Sequence, residues 1–224
     1  MILEPIEFFD PPPYKRRPTP IDNLISSPIP EKLSSQIKFL SEADKLKSVY
    51  RQTLITDKSR EETSAEHSWH FALMAMTLFE YNVLPGVDLD RVIKMALVHD
   101  LVELYAGDTP AFADTIPEDK AAQEKEAADK LFALLSSEQA ANYRTLWEEF
   151  EEMTTPDAKY AAAVDRLQPL ISNYLTNGHS WVKFKVTAKR VYARMAPIKT
   201  AMPALWEVVE YVVQDSCDKG YIIP

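Results

Sequence analysis

From Glu31 onward the apolar residues recur at three- and four-residue spacing, the period of one face of an α-helix. No segment of useful length alternates apolar and polar residues as a half-buried strand would. That rhythm restricts the chain to helix-on-helix packing, and an all-α helical bundle is the expected fold. Glycine usage agrees, because 4 glycines in 224 residues leave few places for tight β-turns. Prolines are more numerous, at 16, and they cluster: Pro5, Pro11, Pro12, Pro13, Pro18, Pro20, Pro28 and Pro30 all fall in the first 30 residues. Such a stretch favours extended, polyproline-like backbone and reads as a surface arm. The chain therefore divides into an arm at residues 1–30 and a single domain at 31–224.

Within the domain, local signals set the helix ends. Residues 31–49 carry Leu33, Ile37, Leu40, Leu46 and Val49, with a break near Ser41, and 50–63 is polar and irregular. Thr63-Ser-Ala-Glu66 fits a capping box, in which each end residue satisfies the other's orphan amide. The helix it opens is expected to run to about Tyr81 with Trp69, Leu73, Met76 and Phe79 inward. A helix over 89–104 follows, with Val92, Ile93, Ala96, Leu97 and Leu101 at apolar spacing. Residues 119–150 read as two helices parted near Ser136-Ser137. Thr155-Pro156 supplies an N-cap and a first-turn proline for a helix over 157–176, which Asn177-Gly178 stops. Two more helices are expected at 187–196 and 203–218.

Composition excludes several functional classes. A net charge of −9 argues against a general binder of nucleic-acid polymers or membrane surfaces, which would present a basic face. One cysteine, Cys217, cannot build an intrachain disulfide framework. No apolar run approaches the roughly 18 residues of a membrane span, and no secretory signal opens the chain. A cytoplasmic location is the expectation.

The chemistry concentrates in one adjacent pair, His99-Asp100. Helix neighbours point about 100° apart, so a metal lying close to the helix, between those two directions, can still be held by both. An imidazole with a carboxylate suits a divalent ion such as Mn, Fe, Co, Ni or Zn. His67 and Asp165 are plausible further ligands, each on a separate helix, and bundles build metal sites from inward side chains of facing helices. Asp165 sits among Ala163, Val164 and Leu167, where a carboxylate is costly to bury unless paired or metal-bound.

The order of Glu66-His67-Ser68, His99-Asp100-Leu-Val-Glu103, Gly107-Asp108-Thr109-Pro110 and Val164-Asp165-Arg166-Leu167 resembles the HD-domain superfamily of metal-dependent phosphohydrolases. Within it the chain is most similar to the YfbR-like 5′-deoxynucleotidases. The resemblance covers roughly residues 31–220. It implies metal ligands at His67, His99, Asp100 and Asp165, and catalytic acids at Glu103 and Asp108. Glu103 lies four residues after His99, so the two share a helix face, where a carboxylate can orient or deprotonate a water. A helix-end acid and a turn aspartate are the structural alternatives for Glu103 and Asp108. Glu66 is read as the helix cap, and His70 as a core or pocket-wall residue.

The resemblance further implies a substrate phosphate held near Arg51, with Gln52 and Thr109 as other contacts. Relatives often carry Trp after this Arg, so Gln52 is a departure that bears on deoxyribose selectivity. Arg166, Lys183, Lys189 and Arg190 are further candidate cations. Members with two metals add histidines between the HD pair and the last Asp, and this chain has none between Asp100 and Asp165. One divalent ion (Mn, Co, Fe, Ni, Zn or Mg) is expected, together with a homodimer, in which the helices carrying Trp147 and Trp206 could pack between subunits or within one.

The expected activity is hydrolysis of (deoxy)nucleoside 5′-monophosphates to nucleoside and phosphate. Another HD-type phosphohydrolase reaction, on a cyclic nucleotide or an alarmone, and a non-catalytic HD-fold nucleotide-binding protein are the rivals. Because every expected ligand lies after Thr63, deleting residues 1–28 should leave metal content and basal activity nearly unchanged. Elemental analysis and phosphate release on the shortened chain check this, and a large loss from a still-folded protein would refute it.

Overall fold

The computed structural model describes residues 29–107, 109, 111–113 and 119–224. Almost all of the proline-rich arm, and Asp108, lie outside the described residues. Helix α1 (Glu31–Ala43) runs into a 3-10 turn (Asp44–Ser48), then an antiparallel hairpin of β1 (Tyr50–Leu54) and β2 (Glu61–Thr63). Helix α2 (Ser64–Thr77) follows directly. Helix α3 (Leu89–Val98) tightens into a 3-10 turn (His99–Val102) and resumes as α4 (Glu103–Ala106). Then come α5 (Lys120–Phe132), α6 (Ser137–Glu152), α7 (Pro156–Leu175), α8 (His179–Lys183), α9 (Ala188–Ala201) and α10 (Trp206–Asp218). Among the described residues no helix is long and apolar enough to cross a membrane.

The fold is the expected helical bundle, and α7 is its centre. This helix packs against α2, α3, α6, α9 and α10. Its burial on nearly all sides follows from a run of small residues, Ala161, Ala162, Ala163 and Val164, that lets helices approach closely all round it. Around it lies the main core, with Phe71, Met95, Tyr160, Trp181 and Ile198 all buried. Tyr160 keeps its hydroxyl satisfied by donating to the Ala75 carbonyl at 2.8 Å. A second core of Phe39, Leu131, Phe132 and Trp147 joins α1, α5 and α6 to the 3-10 turn after α3. Trp147 is thus buried within one chain, and Trp206 packs at 5.9 Å against Tyr192.

Locally encoded ends appear where expected. Thr155 Oγ1 accepts from Ala158 N at 3.1 Å, with Pro156 in the first turn of α7. After α7, Asn177 and Gly178 adopt φ of 60° and 68°. A Cβ at Gly178 would lie 2.5 Å from Tyr221 Cβ, so this position needs glycine for space as well as for its backbone.

The structure also corrects the sequence reading. Residues 50–63 form a hairpin, not an irregular stretch. Its strands bury Thr53, Glu62 and Thr63, so no apolar alternation betrays them. On α2, Trp69 is 63% exposed and Leu73 and Met76 also face outward, while Phe79 alone of the four packs on the core. The buried face carries His67, Ser68, Phe71, Ala72, Met74 and Ala75. Its first turn is polar because it meets the functional site, so the larger apolar residues mark the wrong side. Leu33 and Leu40 on α1 and Leu97 on α3 are likewise exposed. The helix expected to end at 196 continues through Pro197 to Ala201, because buried Ile198 and Ala201 extend its packed face past the missing N–H.

The capping box is complete: Thr63 Oγ1 accepts from Glu66 N at 3.3 Å, and Glu66 Oε2 accepts from Thr63 N at 3.0 Å. Thr63→Ala should destabilise the fold by about 1 kcal/mol, the usual value of such a cap. Urea unfolding of the wild-type and variant proteins measures it.

Candidate metal centre

Three separate pieces of local structure position the four expected ligands. His67 lies in the first turn of α2, just inside the capping box. Glu66 is committed to that cap and to Arg60, which pulls its pKa down to about 2. At Val98 the α3 hydrogen bonding gives way to the 3-10 turn, so His99 and Asp100 sit on a tighter coil than the α-helix expected there. Asp165 comes from mid-α7, where Pro169, four residues on, has no N–H to offer the Asp165 carbonyl.

These elements bring the side chains to one point. Ligand-capable atoms of His67, His99 and Asp100 all lie within 4.8 Å of one another. Asp165 Oδ1 is 2.9 Å from His67 Nε2 and 3.8 Å from His99 Nε2. The two rings are oriented from behind: His67 Nδ1 faces Gln168 Oε1 at 3.0 Å, and His99 Nδ1 faces the Ala96 carbonyl at 2.9 Å. Both partners are acceptors, so both Nδ1 atoms carry hydrogen and both Nε2 atoms are turned to the centre. There they meet carboxylate oxygens, with His99 Nε2 2.9 Å from Asp100 Oδ1 yet without a properly directed hydrogen bond. His67 Nε2 and Asp165 Oδ1 stand at hydrogen-bond distance, so a proton or a metal cation must lie between these buried acceptors. The donor set of two imidazoles and two carboxylates fits a divalent metal.

Without metal, a proton must serve instead. Burial alone would push the His99 pKa down, but the carboxylates of Asp100 and Asp165 outweigh it and hold it up at about 9. Asp100 and Asp165 move the other way; burial would raise them, and the neighbouring imidazoles, with Arg51 at Asp100, pull both well below the usual carboxylate range.

Behind the ligands lies a buried network that the sequence reading missed. Gln168 Nε2 donates to Glu62 Oε1 at 2.7 Å, which fixes its amide so that Oε1 turns to His67. The same nitrogen is 3.3 Å from His70 Nδ1, so His70 is a wall of this network. Burial raises the Glu62 pKa, opposed by His67 and by Arg51, whose Nε is 3.8 Å away. Only the unusual burial of Glu62 and Gln168 marks them, and burial is invisible in a polar hairpin or on an amphipathic helix.

His99, Asp100 and Asp165 of the cluster line a cleft, with His67 buried beneath them, and Arg51, Glu103, Thr109 and Arg194 complete its walls. Arg51 Nη1 donates to Asp100 Oδ2 at 2.9 Å, tying the hairpin to the cluster. Glu103 Oε2 accepts from Ser64 Oγ at 2.7 Å. Asp108 lies outside the described residues. A second pocket adjoins, lined by Gln52, Phe112, Leu170, Trp181 and Phe184, and it shares Arg51, Ala111 and Arg194 with the cleft. Gln52 accepts from Lys183 Nζ at that pocket. The other candidate cations stand apart: Arg166 faces a groove between α7 and α9, Lys189 is exposed, and Arg190 binds the carbonyls of Phe112 and Ala113.

Comparison with known proteins gives a consistent picture. Residues 43–206 match the family described as HD domain. The human protein named 5′-deoxynucleotidase HDDC2 is 32% identical over 139 residues, covering 61% of this chain and 66% of that protein. The chain thus spans just under two thirds of the human relative's length. The Schizosaccharomyces pombe protein named 5′-deoxynucleotidase hdd1 is 29% identical over 111 residues, covering 48% of this chain and 54% of that protein. A crystal structure titled "Predicted metal-dependent phosphohydrolase", from Magnetospirillum magnetotacticum MS-1, superposes with a TM-score of 0.80 at 43% identity, covering 86% of this chain and 96% of that one.

Because His99 holds a proton up to about pH 9 in the metal-free protein, metal must displace it. Binding at neutral pH should release protons, and apparent affinity should rise by about tenfold per pH unit for each proton released. Metal titrations at several pH values below 9, in buffers of different ionisation enthalpy, check this; a pH-independent affinity would contradict the proposed lone-pair arrangement.

Proposed function

The chain belongs to the HD-domain family, and we propose that it is a metal-dependent phosphomonoesterase acting on (deoxy)nucleoside 5′-monophosphates, with nucleoside and inorganic phosphate as products. The observation that carries this reading is the convergence of His67, His99, Asp100 and Asp165 at a cleft that shares Arg51, Ala111 and Arg194 with an adjoining aromatic-lined pocket. A phosphate matches the first environment and a flat organic group the second. Relatives named as 5′-deoxynucleotidases support the same substrate class.

In this reading His67, His99, Asp100 and Asp165 hold one divalent ion. Such an ion polarises a phosphoryl oxygen and makes water acidic enough to attack at neutral pH. Arg51, fixed by Asp100 at 2.9 Å, presents its guanidinium to the phosphate. Glu103, held by Ser64, takes the proton of the attacking water. The hydroxyl adds to phosphorus, the ester P–O bond breaks, and the 5′-oxygen leaves as the nucleoside hydroxyl with the proton that Glu103 took from the water, so that water supplies one OH to phosphate and one H to the nucleoside. No large aromatic side chain follows Arg51: the position is held by Gln52, a smaller polar residue that accepts from Lys183. Both sugar classes are therefore expected as substrates.

Phosphate release from ribo- and deoxyribonucleoside monophosphates, with Mn, Co, Mg and Zn in turn, tests the substrate assignment. No release from any of them would overturn it. Variants separate the roles. His99→Ala, Asp100→Ala and Asp165→Ala should lose metal and activity together. Glu103→Ala should keep its metal while kcat falls by roughly 10²–10⁴, the scale of a general acid–base group. Near-normal turnover in that variant would remove Glu103 from the mechanism.

A further inference from the structure

The cations around the cleft are not equivalent. Arg51, Lys120 and Arg194 all line it. Arg51 bonds Asp100, and Lys120 pairs with Glu124 at 3.1 Å. The Arg194 guanidinium makes no ion pair or hydrogen bond with any described residue; only its backbone carbonyl is engaged, by Arg166 Nη1 at 3.4 Å. Arg194 is nevertheless half-buried. A guanidinium offers five donors, and keeping it partly out of water with none of them bonded to a carboxylate among the described residues costs free energy. In a chain of net charge −9, that is an unusual arrangement to leave standing.

Its position explains what it is for. Arg190, one helical turn earlier on α9, donates to the Phe112 carbonyl at 3.0 Å and lies 5.6 Å from the Phe112 ring. That contact anchors the segment at 111–113 against α9. Arg194 then reaches the neck where the metal cleft and the aromatic-lined pocket meet, lining both together with Arg51 and Ala111.

We infer that Arg194 is a phosphate-binding residue, which grips the phosphoryl group from α9 while Arg51 grips it from β1, so that the ester's organic group is directed through the neck into the aromatic-lined pocket. The inference rests on the phosphomonoesterase reading for its substrate, but the anion site itself does not require that substrate to be a nucleotide.

The test uses the full-length, metal-loaded protein and two probes. Calorimetric titration with inorganic phosphate reads the anion site, and steady-state kinetics with a nucleoside 5′-monophosphate reads the reaction. Arg194→Ala should retain its metal, bind phosphate about ten- to a hundredfold more weakly, the range of a lost charge-assisted hydrogen bond, and show a raised KM. Arg194→Lys should recover part of the affinity, because it restores the charge but not the planar fork. If Arg194→Ala fails to fold, Arg194→Gln, which keeps much of the length and removes the charge, decides the matter by the same loss. Unchanged phosphate affinity in the charge-free variant, or a wild-type protein that binds no phosphate, would overturn the assignment. A wild-type protein that hydrolyses no nucleotide, yet binds phosphate through Arg194, would overturn the proposed substrate and leave the anion site standing.

Discussion

Two imidazole nitrogens and two carboxylates point at one another where α2, the turn after α3, and α7 meet. In water each would be solvated separately; here they are buried together, and their lone pairs repel unless a cation sits among them. Everything nearby serves that arrangement. Gln168 and the Ala96 carbonyl hold the far side of each ring. The Thr63–Glu66 cap sets the helix start that carries His67, and the 3-10 turn brings His99 and Asp100 to the same point. A site so dependent on positive charge is well suited to a divalent ion, and it stores proton affinity when the ion is missing.

The surroundings divide the labour by element. The hairpin contributes Arg51 and Glu62, one facing the cleft and one facing the network behind it. Helix α7 contributes Asp165 to the cluster and Gln168 to the same network, three residues apart and so on one face. Helix α9 supplies Arg190 to anchor the 111–113 segment and Arg194 to line the neck. The cluster thus joins three helices and a hairpin, so its geometry is only as firm as their packing.

What could be read in advance was local. Thr63-Ser-Ala-Glu66, Thr155-Pro156 and Asn177-Gly178 mark helix ends because each acts on backbone within a few residues. Trp69, Leu73 and Met76 misled, because apolar spacing identifies a face but not which way it turns, and the true inner face of α2 opens with His67 and Ser68. The hairpin escaped notice for the same reason, since Glu62 and Thr63 fill buried positions that a sequence pattern assigns to solvent.

By itself the sequence determined the helical class, most helix ends and the identities of the residues that meet at the cluster, because periodicity, capping and the His-Asp chemistry are properties of short segments. Only the tertiary structure decided that Gln168 and Glu62 stand behind His67, that Arg194 rather than Arg166 lines the cleft, and that an aromatic-lined pocket adjoins the cleft. Those outcomes depend on which helix faces meet across separations of many residues, for example 106 between Glu62 and Gln168, and packing alone settles that.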